Sequence, residues 1–176
     1  MGDRSLSSAW LAAWVCRVSE ALRAMTDGFE RRQGYPPGIN HVRPADHDDQ
    51  ATAHTLARVD LAPADLVTLY TGIGDVTWAD VGNGYFIDPA RDVLLRLEEY
   101  GAVDLGGHQK ARGLVIGSNG GGLSYVAGPG GAVHRTRTAS LDEPELDKVA
   151  DDLRQFLELL EKSLMRFIAS GEPGYL

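Results

Sequence analysis

The chain predicts an α+β fold: a central, mostly antiparallel sheet with flanking helices, and a long helix towards each end. Three observations carry that expectation. Apolar residues recur every three or four positions near both termini. Short apolar and aromatic runs in the middle are divided by glycine-rich turns. Helical patterns come first, strands follow with one helical interruption, and a helix closes the order.

Taken in order, residues 5–32 place Leu6, Trp10, Trp14, Val18, Leu22, Met25 and Phe29 on one helical stripe, whose commonest use is core packing. Gly34-Tyr35-Pro36-Pro37-Gly38 stops that helix, and residues 34–49 read as an exposed polar connection. A short helix over 48–58 follows. Pro63 suits a first helical turn, and Leu66, Leu69 and Tyr70 share the face of the next helix, which Gly72 and Gly74 end. Val76–Val81 and Tyr85–Ile87 flank Gly82-Asn83-Gly84 as a hairpin. Asp88-Pro89 reads as an N-cap with proline at the first position of a helix running to Tyr100, with Val93, Leu94 and Leu97 inward. Residues 101–113 read as a loop. Leu114–Ile116, Leu123–Ala127 and Ala132–Arg135 then form an antiparallel meander around two glycine turns. Asp142-x-x-Glu145 resembles a capping box, opening a helix that stacks Val149, Leu153, Phe156, Leu160, Leu164 and Phe167.

Composition narrows the function. The chain has 176 residues, one domain's length, and a formal charge of −8. That field repels phosphate backbones and no basic run exceeds Arg31–Arg32, so nucleic acid is not an expected ligand. An acidic protein meets a basic partner quickly through electrostatic steering. A lone cysteine, Cys16, excludes an internal disulfide, fits a reducing cytoplasm and is expected to be a packed thiol. No apolar run reaches membrane-spanning length, and Ala9–Cys16 continues into Arg17, Glu20 and Arg23 at helical spacing, as an amphipathic helix does and a leader does not.

Motifs for catalysis are incomplete. Gly117–Ser124 has the outer spacing of a phosphate loop, but Leu123 stands where the phosphate-reaching lysine belongs, and a strand follows. Gly72-x-Gly74 lacks the third glycine of a dinucleotide fingerprint. His41, His47 and His54 lie near Asp46, Asp48 and Asp49 without metal-ligand spacing, and Ser118 has no nucleophile-elbow context. Asp151, Asp152, Glu158 and Glu161 read as the solvated face of the last helix. No catalytic residue, metal or cofactor is expected.

Leu61-Ala62-Pro63-Ala64-Asp65-Leu66-x-x-Leu69-Tyr70, followed by Trp78-Ala79-Asp80-Val81-Gly82-Asn83-Gly84-Tyr85-Phe86-Ile87, resembles the opening of SUKH-superfamily domains. These domains are related to yeast cell-wall-assembly regulators linked to killer-toxin resistance. Val115–Tyr125 and Gly130–Arg135 are similar to the family's later strands, so the likeness covers about residues 55–168. Leu-Ala-Pro replaces the family's adjacent Leu-Pro, and the tryptophan-bearing N-terminal helix lies outside its core pattern. The resemblance implies a non-catalytic α+β binding domain, and in bacteria an immunity protein that neutralises a toxin, often a nuclease.

The resulting expectation is one globular unit, with residues 1–54 as an extension and 55–176 as the SUKH-like domain. Its function is to bind a protein partner, such as a basic toxin domain. An intracellular adaptor, or a small-molecule or hydrolase domain using Ser118 or the His41/His47 loop, are the alternatives. Trp78, Asp80, Tyr85, Asp88 and Tyr125, in or beside strands, are the candidate partner surface, because interfaces favour large aromatics and acidic side chains complement a basic partner.

Overall fold

Ser7 opens the first helix by accepting the Trp10 amide on its hydroxyl at 3.2 Å. In the computed structural model, which describes residues 4–176, this helix is α1 (Ser8–Thr26). Its stripe is buried at Trp14, Val18, Leu22 and Met25, as the spacing predicts, but Leu11 takes the inward place next to Trp10, which is half-buried with the Arg154 guanidinium over its ring. Gly28, at φ 66°, breaks it from the short α2 (Phe29–Gln33), a backbone conformation only glycine adopts freely. Cys16 corrects the expectation of a packed thiol. It lies on the outward side of α1 and is exposed, because the buried stripe passes through Trp14 and Val18.

The supposed connection over 34–49 contains a strand, β1 (Asn40–Pro44), with Val42 buried between polar neighbours. Helices α3 (His47–Leu56) and α4 (Ala64–Gly72) follow. Asp46 and Asp49 form a reciprocal capping box at α3. Pro63 is the cap of α4, with Leu66, Leu69 and Tyr70 buried. Strand β2 (Ile73–Trp78) begins earlier than its hydrophobic alternation indicates and carries Gly74 inside it, where any side chain would collide with the Arg43 guanidinium. Then come β3 (Tyr85–Ile87) and α5 (Ala90–Tyr100). Here Pro89 occupies the cap and Asp88 does not, since its carboxylate turns to Arg96 at 3.0 Å.

The segment 101–113 is not wholly a loop. It holds β4 (Val103–Asp104) and the start of β5 (Arg112–Asn119). Strands β6 (Ser124–Ala127) and β7 (Val133–Thr136) complete the meander. The Asp142–Glu145 capping box does not form. A last strand, β8 (Leu146–Ala150), intervenes, and α6 (Leu153–Ser170) starts at Asp152, whose carboxylate accepts the Gln155 amide at 2.7 Å. The apolar repeat through Val149 misled because it continues in phase into the helix. The free edge of β7 takes 146–150 as a paired strand instead.

The architecture is α+β, and every strand pairing is antiparallel. Strand order is β1-β2-β3-β5-β6-β7-β8, with β4 pairing the start of β5. One face of the sheet carries the main core, where the indole of Trp14 donates to the Leu157 carbonyl at 3.0 Å and stacks on Trp78. Position 54, the suggested end of an extension, lies inside α3, and the segment before it gives this core a helix and this sheet an edge strand. On the other face a smaller cluster gathers Val103, Val115 and Val126 beneath Leu105 and Leu146. Thus β5 is buried on both sides over Gly113–Gly117.

Candidate functional groove

Strand alternation decides the fate of the sequence-derived surface. Trp78 and Tyr85 face each other across β2 and β3, so both side chains point the same way, into the main core. Trp78 is 0% exposed and Tyr85 3%. The Tyr85 hydroxyl accepts the Gly174 amide at 3.0 Å, fastening the C-terminal segment over it. Tyr125 is also 0% exposed and meets Phe156 edge-on at 5.0 Å, and burial raises its phenol pKa. The three aromatics therefore pack the interior and do not form a surface patch. The two acids are fasteners. Asp80 accepts from the Gly38 amide and the Asn40 side chain, each at 2.7 Å, holding the chain as it enters β1. Asp88 pairs with Arg96, while its carbonyl accepts the Tyr70 hydroxyl at 2.8 Å.

Other candidates resolve into structural bonding. In the Gly120-Gly121-Gly122 turn the amides already have acceptors: Gly121 and Leu123 donate to the Asn119 side chain, Gly122 to the Asn119 carbonyl, and Gly120 to Gly84. A Cβ on Gly120 would run into the Asn83 carbonyl, so this turn is a close packing of two loops. His41 sits on β1 against Asp75 at 3.0 Å, while His47 and His54 lie at the two ends of α3, with His47 almost wholly exposed. Ser118 lies opposite Phe86 in the β3–β5 ladder. Among the described residues, no three histidine, cysteine or carboxylate side chains gather in a metal-binding cluster. Asp152 caps α6, and Glu161 takes Arg17 in a two-point pair at 2.7 and 3.0 Å.

The feature with the form of a binding site lies elsewhere. Where α5 ends, β4 pairs the start of β5 and residues 141–144 pass nearby, leaving an open groove of about 770 Å³. Its floor is apolar, from Val103 and Val115 of the smaller cluster. Tyr100, 74% exposed, stands on one wall, with Leu141 and Pro144 also lining the groove. Asp104, Asp142 and Glu143 add carboxylates to the lining, and none of them is in an ion pair among those formed by the described residues. Among the described residues Arg96 is the one cation in the lining and is held by Asp88, while Arg112, opposite Asp104 in the β4–β5 pair, donates to the Ala102 carbonyl beside it. The neighbouring Glu99 carboxylate raises the pKa of the Tyr100 hydroxyl, which puts another negative charge near that wall. Glu143 has φ 45°, a left-handed conformation costly for a side-chain-bearing residue, and backbone strain of this kind concentrates at functional sites.

Sequence reasoning missed this groove because its parts were assigned to a loop and a helix cap. The available signal was Leu141-Asp142-Glu143-Pro144-Glu145, an acidic run holding a leucine and a proline. Compared with family models, curated proteins and solved structures, the chain gives no significant match to any.

Proposed function

We propose that this chain is a non-catalytic binding protein of the immunity type, acting in the cytoplasm, which neutralises a basic protein partner such as a toxin domain by covering it. The observation that carries this reading is the pairing of an apolar floor with unpaired carboxylates in one groove, on a molecule of net charge −8. An apolar centre within a charged border is the ordinary anatomy of a protein interface, and the excess charge accelerates encounter with a partner of opposite sign. The carboxylates and amides available for catalysis are engaged otherwise: Asp80, Asp49 and Asp152 accept backbone amides, Asp88 pairs with Arg96, and the glycine-turn amides are internally bonded. The SUKH resemblance in residues 55–168 points to the same class.

The test is co-expression with the product of each adjacent gene, scoring growth and complex formation. A toxic neighbour whose effect is relieved by this chain, with a 1:1 complex recovered, is the expected result. A toxic neighbour that this chain leaves active and unbound would refute the immunity role. Turnover of nucleic acid, phosphate esters or nucleotides by the purified chain, abolished by Ser118→Ala or His47→Ala with the fold intact, would refute the non-catalytic reading.

A further inference from the structure

We propose that the groove between α5 and residues 141–144 seats an exposed segment of the partner that carries an arginine or lysine beside an aliphatic or aromatic anchor. The inference rests on the binding-protein reading above and names the site and the chemistry it recognises.

Three properties of the groove select that occupant. The floor of Val103 and Val115 is apolar and belongs to a cluster separate from the main core, so an inserted apolar side chain extends a small core without disturbing the large one. Its volume, about 770 Å³, lies within the range of sites that enclose ligands of a few residues' bulk, and is too small for a packed domain. The carboxylates lining it outnumber the cations: Arg96 is in the lining, and Arg112 borders it, bonded to the Ala102 carbonyl at 2.9 Å. Asp104, Asp142 and Glu143 lack cationic partners, whereas Arg96 already has Asp88. Nearby Glu145 is paired with Arg137, and Asp104 accepts the Gly106 amide at 2.7 Å, which leaves Asp142 and Glu143 as the exposed carboxylates of the lining outside any such bond or ion pair among the described residues. A guanidinium or ammonium meeting them has water on one side and apolar wall on the other, where charge-assisted hydrogen bonds gain over bulk water. Tyr100 supplies a ring for a cation to lie over.

The probe is a capped, fluorescent hexapeptide alternating arginine and leucine. Its comparison peptides replace arginine by glutamate or leucine by serine, and spermidine serves as a cation without an anchor. Binding is read by anisotropy and mapped by amide shifts on the ¹⁵N-labelled chain. The expected result is preference for the arginine–leucine peptide, with shifts centred on Val103, Asp104, Val115 and Asp142–Glu143. Asp142→Asn with Glu143→Gln, both exposed, should weaken binding about three- to tenfold. Glu20→Gln with Asp60→Asn, which removes the same charge elsewhere on the exposed surface, should change it less than about twofold. Binding whose shifts fall elsewhere, or which both double variants weaken equally, overturns the groove while leaving the basic-partner reading standing. Equal binding of the serine peptide or of spermidine overturns the anchor. No preference for the arginine peptide over the glutamate peptide overturns both the groove and the basic-partner reading.

Discussion

Arg43 links three parts of the chain through one guanidinium. It is bonded to Asp75 on the neighbouring strand and, at two points, to Asp49 in the first turn of α3. Asp49 also accepts the Asp46 amide at 3.0 Å, so the pair ties strand, helix cap and sheet edge together. The hydrogen bond from Arg43 holds the Asp49 carboxyl below its ordinary pKa, with burial opposing it. A carboxylate whose pKa is depressed by folding contributes stability that is fully present above its unfolded value, about 3.9, and is lost as pH falls through the folded value. Denaturant titrations at steps from pH 7 to pH 2.5 should therefore show wild type losing stability below about pH 4. Asp49→Asn should be weaker at pH 7 and fall less steeply in acid. Parallel curves for the two proteins would show that Asp49 contributes nothing through its charge. The histidine and aspartate run here was visible in the sequence as a cluster of polar groups. Its role was not, because Arg43 and Asp75 are separated along the chain and meet only when β1 pairs β2.

At the scale of elements, α6 is where periodicity and structure agree best. Leu153, Phe156, Leu160 and Leu164 are buried against the main core, and Leu160 is 1% exposed. Leu160→Ala should cost about 2–5 kcal/mol in urea unfolding, since the cavity closes only partly. Met165→Ala, at a position 52% exposed, should stay within about 0.5 kcal/mol. Equal losses at both positions would mean the helix is turned differently on the sheet. The long helices and the hairpins were legible because each buries one face with a fixed period. The edge strands β1 and β8 and the short β4 were not. Their burial patterns show little alternation, and what makes them strands is a neighbour's unpaired backbone, which no local pattern records.

For the molecule as a whole, charge and shape act at different ranges. In the proposed function, the net charge of −8 would draw a basic partner from a distance, and the groove would decide where it stops. Stopped-flow association with a purified partner should slow as salt rises from about 0.05 to 0.5 M, because screening shortens the reach of the field. Asp142→Asn with Glu143→Gln should flatten that dependence. Asp80→Asn with Asp88→Asn should instead lower stability and leave the salt slope near wild type, because those carboxylates hold Gly38, Asn40 and Arg96 in place. A salt-independent on-rate would remove electrostatic steering from the account. Composition alone carries the proposal that the partner is basic, through the charge of −8. The location of the site was not legible, since counting aromatics cannot tell on which side of a strand they fall, and pairing sends Trp78 and Tyr85 inward.

The outward placement of Cys16 has an experimental use. It is the chain's one cysteine, it is exposed, and α1 covers the inner face of the sheet while the groove floor lies on the outer face. A maleimide dye or nitroxide would attach at a single known position of the unaltered protein, with the sheet between the label and the proposed seat. Energy transfer or paramagnetic broadening from that position would then measure how near a partner's chosen residue comes to rest, without engineering this chain.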